Sequence, residues 1–231
     1  MCNDRIIQLT EDGSHTIAFP AMNVTYHSRH GAIQESMHVF IQAGLRYFID
    51  NKKPSFNEGL QIFEEGFGTG LNALLSLHEA IQTGQKISYH TIEPYPIAIE
   101  EACQLNYAHM INKDLEEYFY RLHTCEWDKE VAIHRSFSFK KIKATLQQFE
   151  TSAQFHLIYF DAFDPEAQPE LWTEFIFKNM YNLLYPNGIL VTYSSKGIVQ
   201  RAMKAAGFTI QKLKGPPGKR EIIRALKINL H

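Results

Sequence analysis

Between the apolar run Leu60–Phe63 and the helix-period stretch Leu71–Ile81, the chain reads Glu64-Glu65-Gly66-Phe67-Gly68-Thr69-Gly70-Leu71-Asn72. A strand that ends in acids and then alternates glycine with other residues before a helix has few structural solutions. In an open α/β sheet, ligands bind at the carboxyl ends of strands, near the reversal in strand order. Glycines at that point let the backbone approach a ligand at the helix N-terminus. Spacing then selects among ligands. The dinucleotide fingerprint GxGxxG needs a third glycine where this sequence has Leu71; Gly70 comes one place earlier, giving GxGxG preceded by Glu64.

The rest of the chain fits that frame. From Leu60 onward, short apolar runs alternate with helical stretches, the rhythm of βαβ units and a largely parallel sheet. The expected strands are 60–63, 87–92, 131–133, 155–160, 188–193, 208–213 and 221–226, seven in all, with helices over 71–81, 97–110, 142–149, 171–184 and 197–206. Pro186-Asn187-Gly188 reads as a turn into a strand, and Ala205-Ala206-Gly207 as a helix stop. Upstream, Met37, Phe40, Ile41, Leu45 and Phe48 recur at helical steps, predicting a helix over 34–48. The division expected is an N-terminal extension, residues 1–55, packed on a core of residues 56–231. With 231 residues and 45% hydrophobic content, the chain can bury a core without covalent staples. Its cysteines, Cys2, Cys103 and Cys125, are odd in number and form no CxxC pair, which speaks against a disulfide framework or zinc cluster and for a reducing, cytoplasmic setting. No signal-like segment or run of 18 apolar residues is present, so no membrane role is expected, and no metal.

Charge is distributed unevenly. Lys196, Arg201, Lys204, Lys212, Lys214, Lys219, Arg220, Arg224 and Lys227 face one anion, Glu221, so this segment is +8 in a chain of net charge −2. Such a stretch suits a polyanion if its cations converge, and is a solvated face if they do not.

GxGxG preceded by an acid resembles the first motif of class I S-adenosylmethionine methyltransferases. The fold this implies is α/β and Rossmann-like, a seven-stranded mostly parallel sheet with the last strand antiparallel. An acid after the second strand is expected to accept from both ribose hydroxyls, and Glu93 follows His90-Thr91-Ile92. The alternative is a helix-start acid favoured by the dipole. No acid that would accept from the adenine amine is evident in the stretch 131–139, and adenine recognition stays open. The fourth strand runs into Asp161-Ala162-Phe163-Asp164-Pro165, an active-site edge by composition, although one of the two aspartates could simply cap a turn.

Further residues make the likeness narrower. Glu64 through Asn72, Phe160-Asp161-x-Phe163-x-Pro165 with Pro169 and Trp172, Pro186-x-Gly188, Ser195-x-Gly197, Ala206-Gly207-Phe208, Lys214-Gly215 and Gly218-Lys219-Arg220-Glu221 resemble the methyltransferase half of the bifunctional bacterial tRNA 5-methylaminomethyl-2-thiouridine biosynthesis proteins. Tyr26-x-Ser28, Glu35 and Val39-Phe40 are similar too. The resemblance implies methyl transfer from S-adenosylmethionine to the amine of 5-aminomethyl-2-thiouridine at the tRNA wobble position. It implies a stand-alone methyltransferase, with a separate flavin-dependent oxidoreductase acting upstream. The implied cofactor residues are Glu64, Gly66, Phe67, Gly68, Thr69, Gly70, Asn72, Glu93 and Asp161, with Asp161 also the catalytic proton acceptor. Phe163, Pro165, Trp172, Lys219 and Arg220 are the implied tRNA contacts. The sequence departs from the family at Ala162, Asp164 and Gln168. Asp161, Asp164 and Pro165 together are also similar to the polyamine aminopropyltransferases, so a small amine is the rival acceptor. A non-catalytic RNA-binding module is the rival from another class.

Overall fold

The structure, a computed structural model, describes residues 5–52 and 59–228. Cys2 and the expected boundary between residues 55 and 56 lie outside the described residues. The chain opens with an antiparallel three-stranded sheet, β1 (Ile6–Leu9), β2 (His15–Phe19) and β3 (Val24–Thr25), which periodicity alone had not suggested. These strands are only two to five residues long. One carboxylate sets the exit from this unit: Asp12 accepts from the Ser14 and Gln34 amides at 2.9 Å each, joining the β1–β2 turn to the following helix.

The expected N-terminal helix is continuous but not uniform. α1 (Ala32–Ser36) and α2 (Tyr47–Lys52) flank Met37–Arg46, which is wound in wide π turns. Its buried residues include Val39, Phe40, Ile41 and Leu45. Burying each such side chain contributes roughly 1.5–3 kcal/mol. A side chain at Gly44 would meet Val191 Cγ2 at 3.1 Å, so the missing Cβ is what lets this helix lie directly on the sheet.

The main sheet has eight strands in the order β10-β11-β9-β8-β4-β5-β7-β6, where β4 is Leu60–Glu65, β5 Ile87–Ile92, β6 Glu130–His134, β7 Phe137–Ile142, β8 Phe155–Phe160, β9 Leu184–Thr192, β10 Thr209–Lys214 and β11 Glu221–Leu226. β4, β5, β7, β8 and β9 run parallel, and β11 inserts antiparallel between β9 and β10. The mostly parallel sheet with an antiparallel last strand is therefore present, with one strand more than the expected seven. The extra strand explains a misreading. Val131–Ile133 lies in β6, an antiparallel edge strand hairpinned onto β7, and the parallel third strand is β7 itself. Lys140 and Lys141 interrupt the apolar pattern of β7 and hide it as a strand. Lys141 is 1% exposed, and its ammonium bonds the His123 carbonyl and sits 4.7 Å from the Trp127 ring centre.

The helix expected over 142–149 is absent, because Ile142 still belongs to β7 and Thr145 to Gln148 forms a turn. The one expected over 97–110 is broken into α4 (Ile99–Ala102) and α5 (Tyr107–Ile111), and α6 (Glu116–Thr124) was not anticipated. α3 (Leu71–Thr83), α7 (Glu174–Leu183) and α8 (Gly197–Ala205) lie where the periodicity places them. Asn187, at φ +64°, takes the left-handed position of the expected turn, which is a bulge near the start of β9. One apolar cluster unites α3 and the π-wound helix against the sheet; a second unites α7 and α8 with its other side. β4 sits between β5 and β8, at the reversal of strand order, so the glycine run after it opens at the switch point.

Candidate active site

Gly66, Gly68 and Gly70 have φ of +89°, +50° and +76°, so the chain leaves β4 by a path that ordinary residues resist. The Gly66 and Phe67 amides donate to the Ile92 carbonyl at 3.2 and 3.1 Å, lashing the loop to the end of β5. Just beyond β5, Glu93 accepts from the Gly68 amide at 2.9 Å through one carboxylate oxygen and from the Tyr95 amide at 2.8 Å through the other. Each oxygen keeps a free lone pair for a hydroxyl donor. Burial nevertheless raises the Glu93 pKa, with these two hydrogen bonds opposing. At the end of β8, the Asp161 amide donates to the Glu65 carbonyl, and its carboxylate accepts from Asn72 Nδ2 at 2.8 Å. Burial pushes the Asp161 pKa well above the usual carboxylate range, and the charge of Glu35 adds to this, while Asn72 and Lys219 oppose it.

These groups line one cleft of about 430 Å³. Gly66, Phe67, Gly68, Thr69, Asn72, Glu93, Asp161 and Phe163 all contribute to its walls. The N-terminal unit supplies walls that spacing could not reveal. His27 Nε2 lies 2.7 Å from Thr69 Oγ1, and the Tyr26 ring covers Gly68 so closely that a Cβ there would stand 2.9 Å from it. Phe19, Tyr26 and Phe163 form an aromatic triad with centroids 5.2 to 5.8 Å apart. Burial lowers the His27 pKa to about 4, so this imidazole is neutral at pH 7. Thr145, Leu146 and Gln147, beyond the true third strand, close the far end.

Other expected site residues lie elsewhere. Glu64 is 0% exposed and points away from the cleft, beside Thr91, Asn72 and Tyr89, where burial raises its pKa well above the usual carboxylate range. Its neighbour Glu65 is the acid that lines the cleft, and burial, aided by the charges of Glu93 and Asp161, pushes its pKa up to about 8. Gly70 faces His123, which a Cβ would meet at 2.8 Å. Trp172 is 2% exposed, packed against Phe160 and Phe177, so it cannot stack on a base; its indole donates instead to the Phe163 carbonyl at 2.8 Å and positions that residue. Pro165 is buried outside the walls. Lys219 pairs with buried Glu35 and lies 3.6 Å from the Tyr193 ring centre, so it is a structural ion-pair partner, while Arg220 is exposed beyond the cleft. The cations of the C-terminal part do not converge as a set. Lys196 pairs with Asp164 and Glu166, Lys212 with Glu221, Arg224 donates to the Ala43 carbonyl, and Lys227 to those of Tyr181 and Leu184, leaving Arg201, Lys204, Lys214 and Arg220 exposed. Among the described residues, no cluster of His, Cys, Asp or Glu is placed to hold a metal, and no helix is long and apolar enough to cross a membrane.

A glycine loop at the switch point, an acid after the second strand and an antiparallel strand inserted at the sheet's end define the class: a Rossmann-like α/β protein of the methyltransferase type. Residues 105–228 match the model of the S-adenosyl-L-methionine-dependent methyltransferase family Methyltransf_30, and the chain belongs to that family. S-adenosyl-L-methionine is accordingly its cofactor. The residues fit it: four carboxyl groups, those of Glu65, Glu93, Asp161 and Glu170, line one cleft, and buried Glu65 Oε2 has no hydrogen-bond partner among the described residues, a set that calls for a ligand bringing positive charge and hydrogen-bond donors. The chain is 31% identical over 222 residues to the tRNA 5-methylaminomethyl-2-thiouridine biosynthesis bifunctional protein of Aeromonas hydrophila, covering 86% of this chain and 32% of that protein. The protein of the same name from Burkholderia thailandensis is 28% identical over 95% of this chain and 35% of its own length. The chain thus spans about a third of the length of these relatives. The crystal structure of MnmC2 from Aquifex aeolicus shares the fold at a TM-score of 0.73, with 24% identity, over 96% of this chain and 70% of that one. Spermidine synthase from Thermotoga maritima shares it at 0.58, with 13% identity, over 98% and 70%.

Proposed function

We propose that this chain methylates the exocyclic amine of 5-aminomethyl-2-thiouridine at the tRNA wobble position, giving 5-methylaminomethyl-2-thiouridine, and that it works in the cytoplasm on amines released by a flavin-dependent oxidoreductase. The observation that carries this reading is the placement of Asp161: a carboxyl fixed by Asn72 at the mouth of β8, in the same cleft as Glu93, with an aromatic wall beside it. The names of the relatives supply the substrate class.

When bound, the cofactor supplies an electrophilic methyl group on a sulfonium. The chain's own residues do the rest. Glu93 takes the ribose hydroxyls while its bond to Gly68 keeps the loop in place. An alkylamine with a lysine-like pKa of about 10 arrives protonated, and needs an acceptor to free its lone pair. Asp161 is that acceptor: burial already raises its affinity for a proton, and Asn72 holds the receiving carboxylate in line. Phe19, Tyr26 and Phe163 keep water from the amine and hold it near the methyl group, where proximity supplies much of the acceleration. The exposed cations Arg201, Lys204, Lys214 and Arg220 are the candidates for phosphate contact.

Transfer to a small polyamine-type acceptor is less well supported. That reading needs a second acid in the site, and Asp164 is instead held by Lys196 at 2.6 Å outside the described cleft walls. The test is incubation of the protein and labelled S-adenosylmethionine with bulk tRNA from a bacterium lacking this methylation, followed by mass spectrometry of the nucleosides. Appearance of 5-methylaminomethyl-2-thiouridine is expected. Unlabelled tRNA, from a protein that binds the cofactor, would overturn the reading and leave small amines. Cofactor turnover that is absent with every acceptor would point to the binding module.

A further inference from the structure

β4 carries its side chains alternately to the two faces of the sheet. Ile62 joins the cluster built with α3, and Phe63 the cluster built with α7. Glu65 follows Phe63 by two and enters the cleft on that same side, where the walls are Leu146, Ala162 and Leu171, all members of the α7 cluster. Asn72, on α3, holds Asp161, and His27 meets Thr69, so this polar end of the cleft lies on the α3 side. Glu65 is 7% exposed, and its Oε2 is buried with no hydrogen-bond partner among the described residues. A buried polar atom left unpaired is a rare and unfavourable arrangement, and here it lies in a ligand cleft between apolar walls.

The rest of the argument relies on the cofactor placement proposed above, with the ribose on Glu93. From that sugar the adenine and the amino acid leave in opposite directions. The polar end suits the zwitterionic amino acid, and the apolar end suits a flat aromatic ring. We propose that Glu65 recognises the adenine ring of the cofactor, its carboxyl group in the neutral form accepting from the exocyclic amine and donating to ring nitrogen N1.

The protonation state decides whether this pairing works. An ionised carboxylate only accepts, whereas a neutral carboxyl offers one donor and one acceptor side by side, the complement of the adenine edge. Burial and the charges of Glu93 and Asp161 keep Glu65 protonated up to about pH 8. The other titratable groups lining the cleft, Arg5, Tyr26, His27, Tyr95 and Glu170, stay unaltered in the test. The pairing also supplies what the sequence lacked, a group for the adenine amine. The expected acid is absent beyond the third strand because it is provided by the first.

Calorimetric titration of the full chain with S-adenosylhomocysteine, in the absence of tRNA, tests this. Glu65→Leu, which fits among leucines, should weaken binding at pH 7 by about tenfold or more, the loss of two hydrogen bonds. Glu65→Gln keeps a donor and an acceptor in the same place and should stay within about threefold of wild type. Wild-type affinity should fall above pH 8 as the donor is lost, and that of Glu65→Gln should not. Wild-type affinity in Glu65→Leu, or an alkaline loss that persists in Glu65→Gln, would overturn the proposal. Glu93→Ala separates the two layers of the reading. If Glu93→Ala loses binding and Glu65→Leu does not, only the adenine assignment falls; if neither loses it, the cofactor placement itself is wrong.

Discussion

Replacing Lys219 by methionine distinguishes a cation that grips RNA from one that holds the protein together. Its ammonium pairs with Glu35, whose side chain is 8% exposed while that of Lys219 is 26% exposed. Glu35 also accepts from the Ser28 amide at 2.8 Å, so its carboxylate stays in place when the lysine is removed. Breaking a buried pair from one side destabilises by about 3–5 kcal/mol, because the remaining charge is buried alone. The partial exposure of Lys219 puts this case at the low end, about 3 kcal/mol. For a chain of this size that lowers the melting temperature by roughly 6–12 °C. Glu35→Gln is milder, about 1 kcal/mol, since glutamine still accepts from Ser28 and Lys219 retains water and the Tyr193 ring. If the pair is real, the double variant loses about 2 kcal/mol instead of the additive 4, a coupling of about 2 kcal/mol. Chemical denaturation of the four proteins at pH 7 and about 0.15 M salt measures all of these. A Lys219→Met protein within 0.5 kcal/mol of wild type, or strictly additive variants, would refute the reasoning and return Lys219 to the list of RNA contacts.

Gly68→Ala should abolish measurable S-adenosylhomocysteine binding or weaken it more than tenfold in calorimetry, because φ is +50° and the added carbon meets the Tyr26 ring at 2.9 Å. Asp161→Asn should lower turnover by about 100-fold or more while changing S-adenosylhomocysteine affinity far less. Because burial raises the Asp161 pKa, wild-type kcat/KM should climb with pH beyond the usual carboxylate range, and a pH–rate profile of the variant should lack that limb. His27 is about 4 in the folded state against 6.5 for the free side chain, so the unfolded chain binds the extra proton and stability is lost as pH falls from 6.5 toward 4. His27→Asn should flatten that slope by up to one proton in pH-dependent denaturation.

The residues that sequence could identify are those whose role depends on local order. Gly66 and Gly68 had to follow a strand, and Glu93 and Asp161 had to end one; the structure brings them into one cleft. What escaped depends on partners far away in the chain. Tyr26 and His27 reach the glycine loop across about 40 residues, and no periodicity encodes that contact. β7 was hidden by Lys141, a charge that hydrophobic patterning places in solvent but that bonds a carbonyl beneath an indole. Once the third strand was mistaken for its antiparallel neighbour, Thr145 to Gln147 had no reason to be considered part of the site. Lys219 and Trp172 show the same limit in another form. A motif fixes where such residues stand, while burial and partners decide whether they face a substrate or a core.

The position of β11 has a consequence for synthesis. In chain order β11 follows both β9 and β10, yet it lies between them, pairing with each. Until Glu221–Leu226 leaves the ribosome, β9 presents Leu190 and Val191 along a bare strand edge, and β10 has no neighbour to pair with. Such an edge is a template for another chain. Arg224 arrives with the same strand and ties it to the Ala43 carbonyl near the beginning of the chain, so the sheet and the N-terminal helix are closed by one late event. A chain truncated after Lys214 should accumulate as aggregate instead of soluble monomer in a cell-free translation assay. The nascent sheet therefore keeps an open edge until β11 is made, although every residue lining its cleft has already been translated.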